Sequence, residues 1–308
     1  MRRALPALGM LVIALLFNAC TNTPVDPSRD DTPVSGRAVV LADEDLRYLL
    51  EDHQLVFNGT YPNAQVVIHY LPEAELTKAM LADSVRCIFG SFKPGGEQEA
   101  YFRTRNLSTH VERVATDGIA VIASLQNPVQ QLTVPQLQGM LSGELGTWPG
   151  TTTRVTALFE RKESGVPRSL VDSLFNGDPS QLKRGAALNN LDELVQRVAS
   201  DPSALGFIAF ARISDLDDAR CRALRSGLKL IPIAANDSST AHLPEQSTLK
   251  DKSYPLCRGV IMTVAEGKSG LGTGFASFVA GHKGQRIILK QGLAPERVPV
   301  RDIELVQP

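Results

Sequence analysis

The chain has 308 residues, of which 43% are hydrophobic and 21% charged, with a formal net charge of −1. That composition fits a globular protein and excludes a wholly disordered chain. The near balance of 32 basic and 33 acidic side chains excludes the concentrated positive surface that a nucleic-acid partner demands.

The first twenty residues point to the cell envelope. Arg2 and Arg3 precede an apolar stretch over 4–17, which closes on Phe17-Asn18-Ala19-Cys20. The stretch is short of the ~20 residues of a membrane span and reads as a secretory signal. The small Ala19 before Cys20 suits a lipobox, where diacylglycerol is attached to the cysteine and the chain is cleaved before it. The Leu and Ala/Ser preferred in that motif are replaced here by Phe17 and Asn18. Residues 21–35 (TNTPVDPSRDDTPVS) are polar and proline-containing, as a tether should be. The expectation is a signal peptide over 1–19 and a tether over 20–35. Lipid on Cys20 would anchor the chain to a membrane without spanning it. Thr21 lacks the aspartate that commonly retains lipoproteins at the inner membrane, which leans toward the periplasmic face of the outer one.

Beyond the tether, short apolar runs alternate with amphipathic stretches. Strands are predicted over 37–42, 65–70 and 85–90. A helix over 43–58 follows the first, with Asp43 as its cap and Leu46, Leu49, Leu50, His53 and Phe57 on one face. Pro72 opens a second helix running to about Ala82. Residues 96–106 read as helix and 109–115 as extended. The apolar run 118–124 (GIAVIAS) reads as a fully buried parallel strand. Helices are predicted over 133–142, 165–176 and 190–200, and strands over 154–159, 205–210 and 228–233. Residues 235–256 read as irregular, 257–264 as a late strand, and 270–291 as two helices meeting near Gly281. The alternation predicts α/β architecture with mostly parallel sheets.

Motifs for catalysis and metal binding are missing. No GxSxG or HExxH occurs, and the histidines at 53, 69, 110, 242 and 282 are scattered. His53 and His69 fit core or surface positions better than ligand positions. Cys87, Cys221 and Cys257 show no CxxC spacing, and Cys87 sits in an apolar run that suits burial. One disulfide is chemically allowed in that compartment, and the spacing does not decide whether Cys221 and Cys257 form it. Residues 267–274 (GKSGLGTG) match neither GxxxxGK[ST] nor GxGxxG and read as a loop opening a helix. The chain is therefore expected to be a non-enzyme with no cofactor and no metal.

Four segments carry a family resemblance: 117–127 (DGIAVIASLQN), 133–148 (TVPQLQGMLSGELGTW), 159–175 (FERKESGVPRSLVDSLF) and 254–293. Together they resemble the phosphate-type (PstS-like) substrate-binding proteins of the type II periplasmic binding protein fold, notably the Bacteroidetes lipoprotein versions. The resemblance implies two α/β lobes joined by two crossover hinge segments. Lobe one would hold 36–118 plus 253–308, and lobe two 119–252. It further implies a small oxyanion bound between the lobes, phosphate foremost, and an ABC transporter permease as partner.

The same resemblance implies the site. Ser164 and Gly165 fall where the family has its Ser-Gly-Thr anion loop, and Arg168 lies one turn on as a possible bidentate fork. Ser164 and Gly165 equally suit a plain N-cap and first turn. Val166 and Pro167 depart from the pattern by removing a hydroxyl and a backbone donor. Ser91-Phe92 stands where those Bacteroidetes members often have Thr-Arg, with Lys93 nearby. Asp43 and Glu44 follow the first strand at the crevice where open α/β sheets bind ligands, and Asp43 serves equally as a cap. Arg161 is a further candidate, and Asp117 suits a hinge carboxylate. The changed loop keeps open a sensory or scaffolding lipoprotein that retains the fold without transport.

Overall fold

Residues 36–43 form the first strand because their side chains alternate until both faces become covered. In the computed structural model described here, which covers residues 31–81, 85–266 and 269–298, β1 (Gly36–Asp43) pairs in parallel with β2 (Ala64–Leu71) and β3 (Cys87–Gly90). The signal, Cys20, most of the tether and Gly267-Lys268 lie outside the described residues.

Helices link these strands. Asp43 does act as a cap, but of a 3-10 turn at Glu44–Leu46. The α-helix α1 begins only at Arg47 and runs to Thr60. Its buried face is Leu49, Leu50, His53 and Phe57, as the spacing predicted. α2 (Glu73–Leu81) follows Pro72, and α3 (Gly96–Thr104) follows β3.

The next strand differs from expectation. The segments 109–115 and 118–124 are one 17-residue strand, β4 (Ser108–Ser124). It is not parallel to anything it pairs with. Its first part runs antiparallel to β11 (Cys257–Glu266), and Ile119–Ala123 run antiparallel to β8 (Ala204–Ala209). The apolar run reports two covered faces, since Ile119 to Ala123 are fully buried. Burial on both faces says nothing of strand direction. The sheet is therefore mixed, in the order β2-β1-β3-β11-β4-β8-β6-β7, with β6 Thr156–Phe159 and β7 Ala186–Ala187.

Around its second half lie α4 (Val134–Ser142), α5 (Gly165–Phe175) and α6 (Leu191–Ser200), close to their predicted spans. Two helices went unread: α7 (Ala219–Ser226), and the short α8 (Gln246–Lys250) inside the stretch read as irregular. The C-terminal pair, α9 (Leu271–Ala280) and α10 (His282–Lys290), meets at Gly281 as expected.

The start of α9 also settles the glycine-rich stretch. Leu271 N–H donates to Asp31 and Gly270 N–H to Glu266, so carboxylates of the chain occupy that helix end. His53 is a core residue, its two ring nitrogens facing the Leu49 carbonyl (2.7 Å) and the Gly284 carbonyl (3.1 Å). Burial pushes its pKa down. His69 is exposed on edge strand β2. Cys87 is a buried thiol pushed up by burial, and Cys221 and Cys257 are unpaired.

Candidate functional site

Parallel register brings the carboxyl ends of β1, β2 and β3 together: Asp43 lies beside Leu71, and Ala42 beside Phe89. Three polar side chains gather just past those ends. They are Asp43, Glu73 in the first turn of α2, and Ser91 after β3. From the other half of the sheet, the N-terminus of α5 is laid against them. Gly165 is required there by contact, not by backbone torsion. A β-carbon at that position would collide with Asp43 Oδ2 and stand 2.9 Å from Ser91 Oγ and 3.0 Å from Glu73 Oε2.

Glu73 is the centre of the cluster. Ser91 donates to its Oε1 through both the backbone N–H (2.7 Å) and the hydroxyl (2.9 Å). Arg168 donates from Nε to Oε2 (2.8 Å) and from Nη2 to Oε1 (3.2 Å). Arg168 Nη2 also reaches Ser91 Oγ (3.0 Å), and Nη1 pairs with Asp172 at 2.6 Å. Glu73 is 4% exposed while Arg168 is 38% exposed, so one partner is sealed and the other faces water. A pocket of about 290 Å³ opens beside the pair, lined also by Phe92, Lys162 and Glu163.

Asp43 is buried with one oxygen unused. Its Oδ1 accepts from Asp45 N–H (3.2 Å), while Oδ2 has no hydrogen-bond partner. Burial, then the neighbouring Asp45 and Glu73 carboxylates, pushes its pKa well above the usual range. Glu160, just past the end of β6, is pushed up to about 7 by burial and by Asp45. Asp43 and Glu160 are thus buried carboxyl groups that favour the protonated form.

The structure brings Asp43, Ser91, Gly165 and Arg168 together, with Ser164 lining the pocket beside them, and holds Glu44 and Arg161 on other partners. Glu44 turns away to pair with Arg47 (2.8 Å), which draws it to the surface of α1. Arg161 donates to the Asn189 carbonyl (3.1 Å) and is held there. Ser164 occupies the N-cap position without capping, because its hydroxyl is spent on the Arg161 carbonyl (3.1 Å). The cation missing beside Ser91 in the sequence is supplied in space by Arg168.

With this geometry in view, the sequence matches the PBP superfamily domain over residues 27–283. The chain belongs to the PBP superfamily. Among solved structures, it is similar to a Clostridium perfringens protein described as a phosphate ABC transporter substrate-binding protein with bound phosphate. Identity is 16% and the TM-score 0.70, over 85% of this chain and 100% of that one. A phosphate transport receptor from Vibrio cholerae gives 15% and 0.64, over 83% and 99%. PstS from Borrelia burgdorferi gives 16% and 0.54, over 84% and 98%. No curated protein sequence matches. The α/β fold and the resemblance to this group are borne out; identities this low speak for the fold alone.

A second ionic cluster sits on β11 and β4, neighbours at the middle of the sheet order. Arg258 on β11 donates to Asp45 (Nη1, 2.9 Å) and to Asp117 on β4 (Nε, 2.9 Å). Asp117 Oδ1 accepts the Ala211 N–H (3.0 Å). All three side chains are at most 3% exposed. Neighbouring Gly118 leaves no room for a side chain: a β-carbon would stand 2.9 Å from Leu249. Further contacts tie the halves. Arg212 donates to the Glu44 carbonyl (2.7 Å), and Arg220 pairs with Glu51 (2.8 Å), with both guanidinium groups against the Tyr48 ring. Sequence reading missed Glu73, Glu160 and Arg258. A signal for Glu73 existed, since it stands just past the carboxyl end of β2, as Asp43 stands at the carboxyl end of β1.

Proposed function

We propose that the chain is an extracytoplasmic solute-binding protein that takes a small oxyanion between its halves and presents it to an ABC transporter permease. Phosphate is the leading ligand. One observation carries the reading: Ser91 from one half and Arg168 from the other converge on a single carboxylate, itself an oxyanion. The backbone N–H, hydroxyl and guanidinium fork that hold it are the donors an oxyanion ligand needs. Asp43 adds discrimination when its carboxyl is ionised, because the free oxygen then accepts the proton of hydrogenphosphate, which fully ionised sulfate lacks. Lipid on Cys20 would hold the receptor at the membrane.

The test is isothermal titration of the full chain, stripped of bound anions, with phosphate and with sulfate as control. Saturable phosphate heat that Arg168→Ala weakens at least tenfold is the expected result. No phosphate heat from folded protein sinks the ligand. A second reading, a sensory or scaffolding lipoprotein, draws its support from Glu73, which fills the donors itself. Absence of binding to any oxyanion, together with pull-down of an envelope protein other than a permease, would favour it.

A further inference from the structure

Glu73 stands out because nothing in its local helix requires it to be where it is. α2 has Glu75 in the same first turn, which is exposed and serves the helix dipole equally well. Glu73 is instead buried and accepts from Ser91 twice and from Arg168 twice. Its carboxylate is held by one main-chain donor, one hydroxyl and a two-pronged guanidinium. The last comes from the opposite half of the molecule. Beside it, α2 and the loop before α5 touch directly, with the Ala74 N–H 3.4 Å from the Glu163 carbonyl.

Resting on the oxyanion-receptor reading, we propose that Glu73 is a tethered competitor. Its carboxylate occupies the donors of the anion site and latches the two halves together until solute displaces it. The same donors cannot serve Glu73 and a free oxyanion at once. Binding of solute is then an exchange: Glu73 swings out, and the pocket beside it, lined by Phe92, Lys162 and Glu163, offers the space. An internal anion held at high effective concentration lowers the apparent affinity for every external one. It sets a threshold that only an abundant or better-fitting oxyanion passes. Glu73 is thus an affinity-setting residue rather than a passive lining group.

Two measurements on the full chain test this, with Glu73→Ala removing the carboxylate and Glu73→Gln removing only its charge. The first is hydrogen–deuterium exchange of the anion-free protein over peptides spanning 73–81 and 165–175. Either variant is expected to speed exchange at both helix starts at least fivefold. Peptides at the Arg258 cluster should stay unchanged, which separates unlatching from general unfolding. The second is titration with phosphate, where both variants are expected to bind at least tenfold tighter than the parent. Parent-like exchange in both variants overturns the latch whatever phosphate does. Phosphate binding by the parent that the variants leave equal or weaken overturns the competitor and makes Glu73 a helper of the ligand. Faster exchange with no phosphate heat from any of the three proteins upholds the latch and retires phosphate.

Discussion

Two arginines near the junction of the halves each hold two carboxylates. Arg258 joins Asp45 and Asp117; Arg168 joins Glu73 and Asp172. They differ in access to water. Arg258 is 3% exposed against partners at 2% and 0%, whereas Arg168 is 38% exposed and Asp172 53%. A sealed ion pair is hard to exchange, because each charge removed leaves another stranded in a low dielectric. A half-wet arginine can trade one oxyanion for another at small cost. The same chemistry at two depths thus makes a fixed joint in one place and an exchangeable grip in the other.

The largest expected effect comes from breaking the fixed joint. Arg258→Ala strands Asp45 and Asp117 and should destabilise the protein by ~3–5 kcal/mol, read as a fall in the thermal midpoint. Retention of the parent midpoint would show that the joint carries no load. Next comes the buried Glu160. Its folded pKa is raised from 4.5 to about 7. The stability linked to it is therefore complete below pH 4.5 and lost as pH rises through about 7. By pH 8 the charged group costs up to ~3 kcal/mol. Glu160→Gln should raise the midpoint at pH 8, change it little at pH 4.5, and flatten the slope between. The smallest stability effect belongs to the exchangeable grip. Arg168→Ala leaves Glu73 with its two Ser91 donors and should cost less folding stability than Arg258→Ala, while weakening phosphate at least tenfold. A large loss of stability from that variant would erase the distinction between the two arginines.

Much of this organisation was legible in the sequence because it rests on local patterns. Leu49, Leu50, His53 and Phe57 mark the buried face of α1 by spacing alone, and Gly281 marks the junction of α9 and α10. What local pattern lacks is direction and partnership. The run through Ile119–Ala123 discloses burial but not that its neighbours run antiparallel. α8 has five residues, too few to show a period of 3.6. In the site, Gly165 and Arg168 were readable because they sit in one segment with Ser164. Glu73 and Ser91 lie 95 and 77 positions from Arg168, and only the sheet's register brings them to it. Glu44 and Arg161 were plausible by neighbourhood, and each is held by a nearer partner.

Trp148, the single tryptophan, is buried, and its indole N–H donates to the Ser203 carbonyl. Ser203 precedes β8, whose six residues carry the chain away from the indole toward the cleft end of the sheet, roughly 20 Å at the rise of a strand. The fluorophore is buried within one half and far from the Glu73–Arg168 contact, so closure of the halves on solute, as proposed, would leave its surroundings unchanged. Its emission therefore reports melting of that half and stays dark to closure. A flat fluorescence titration is the optical signature expected of solute binding as proposed above.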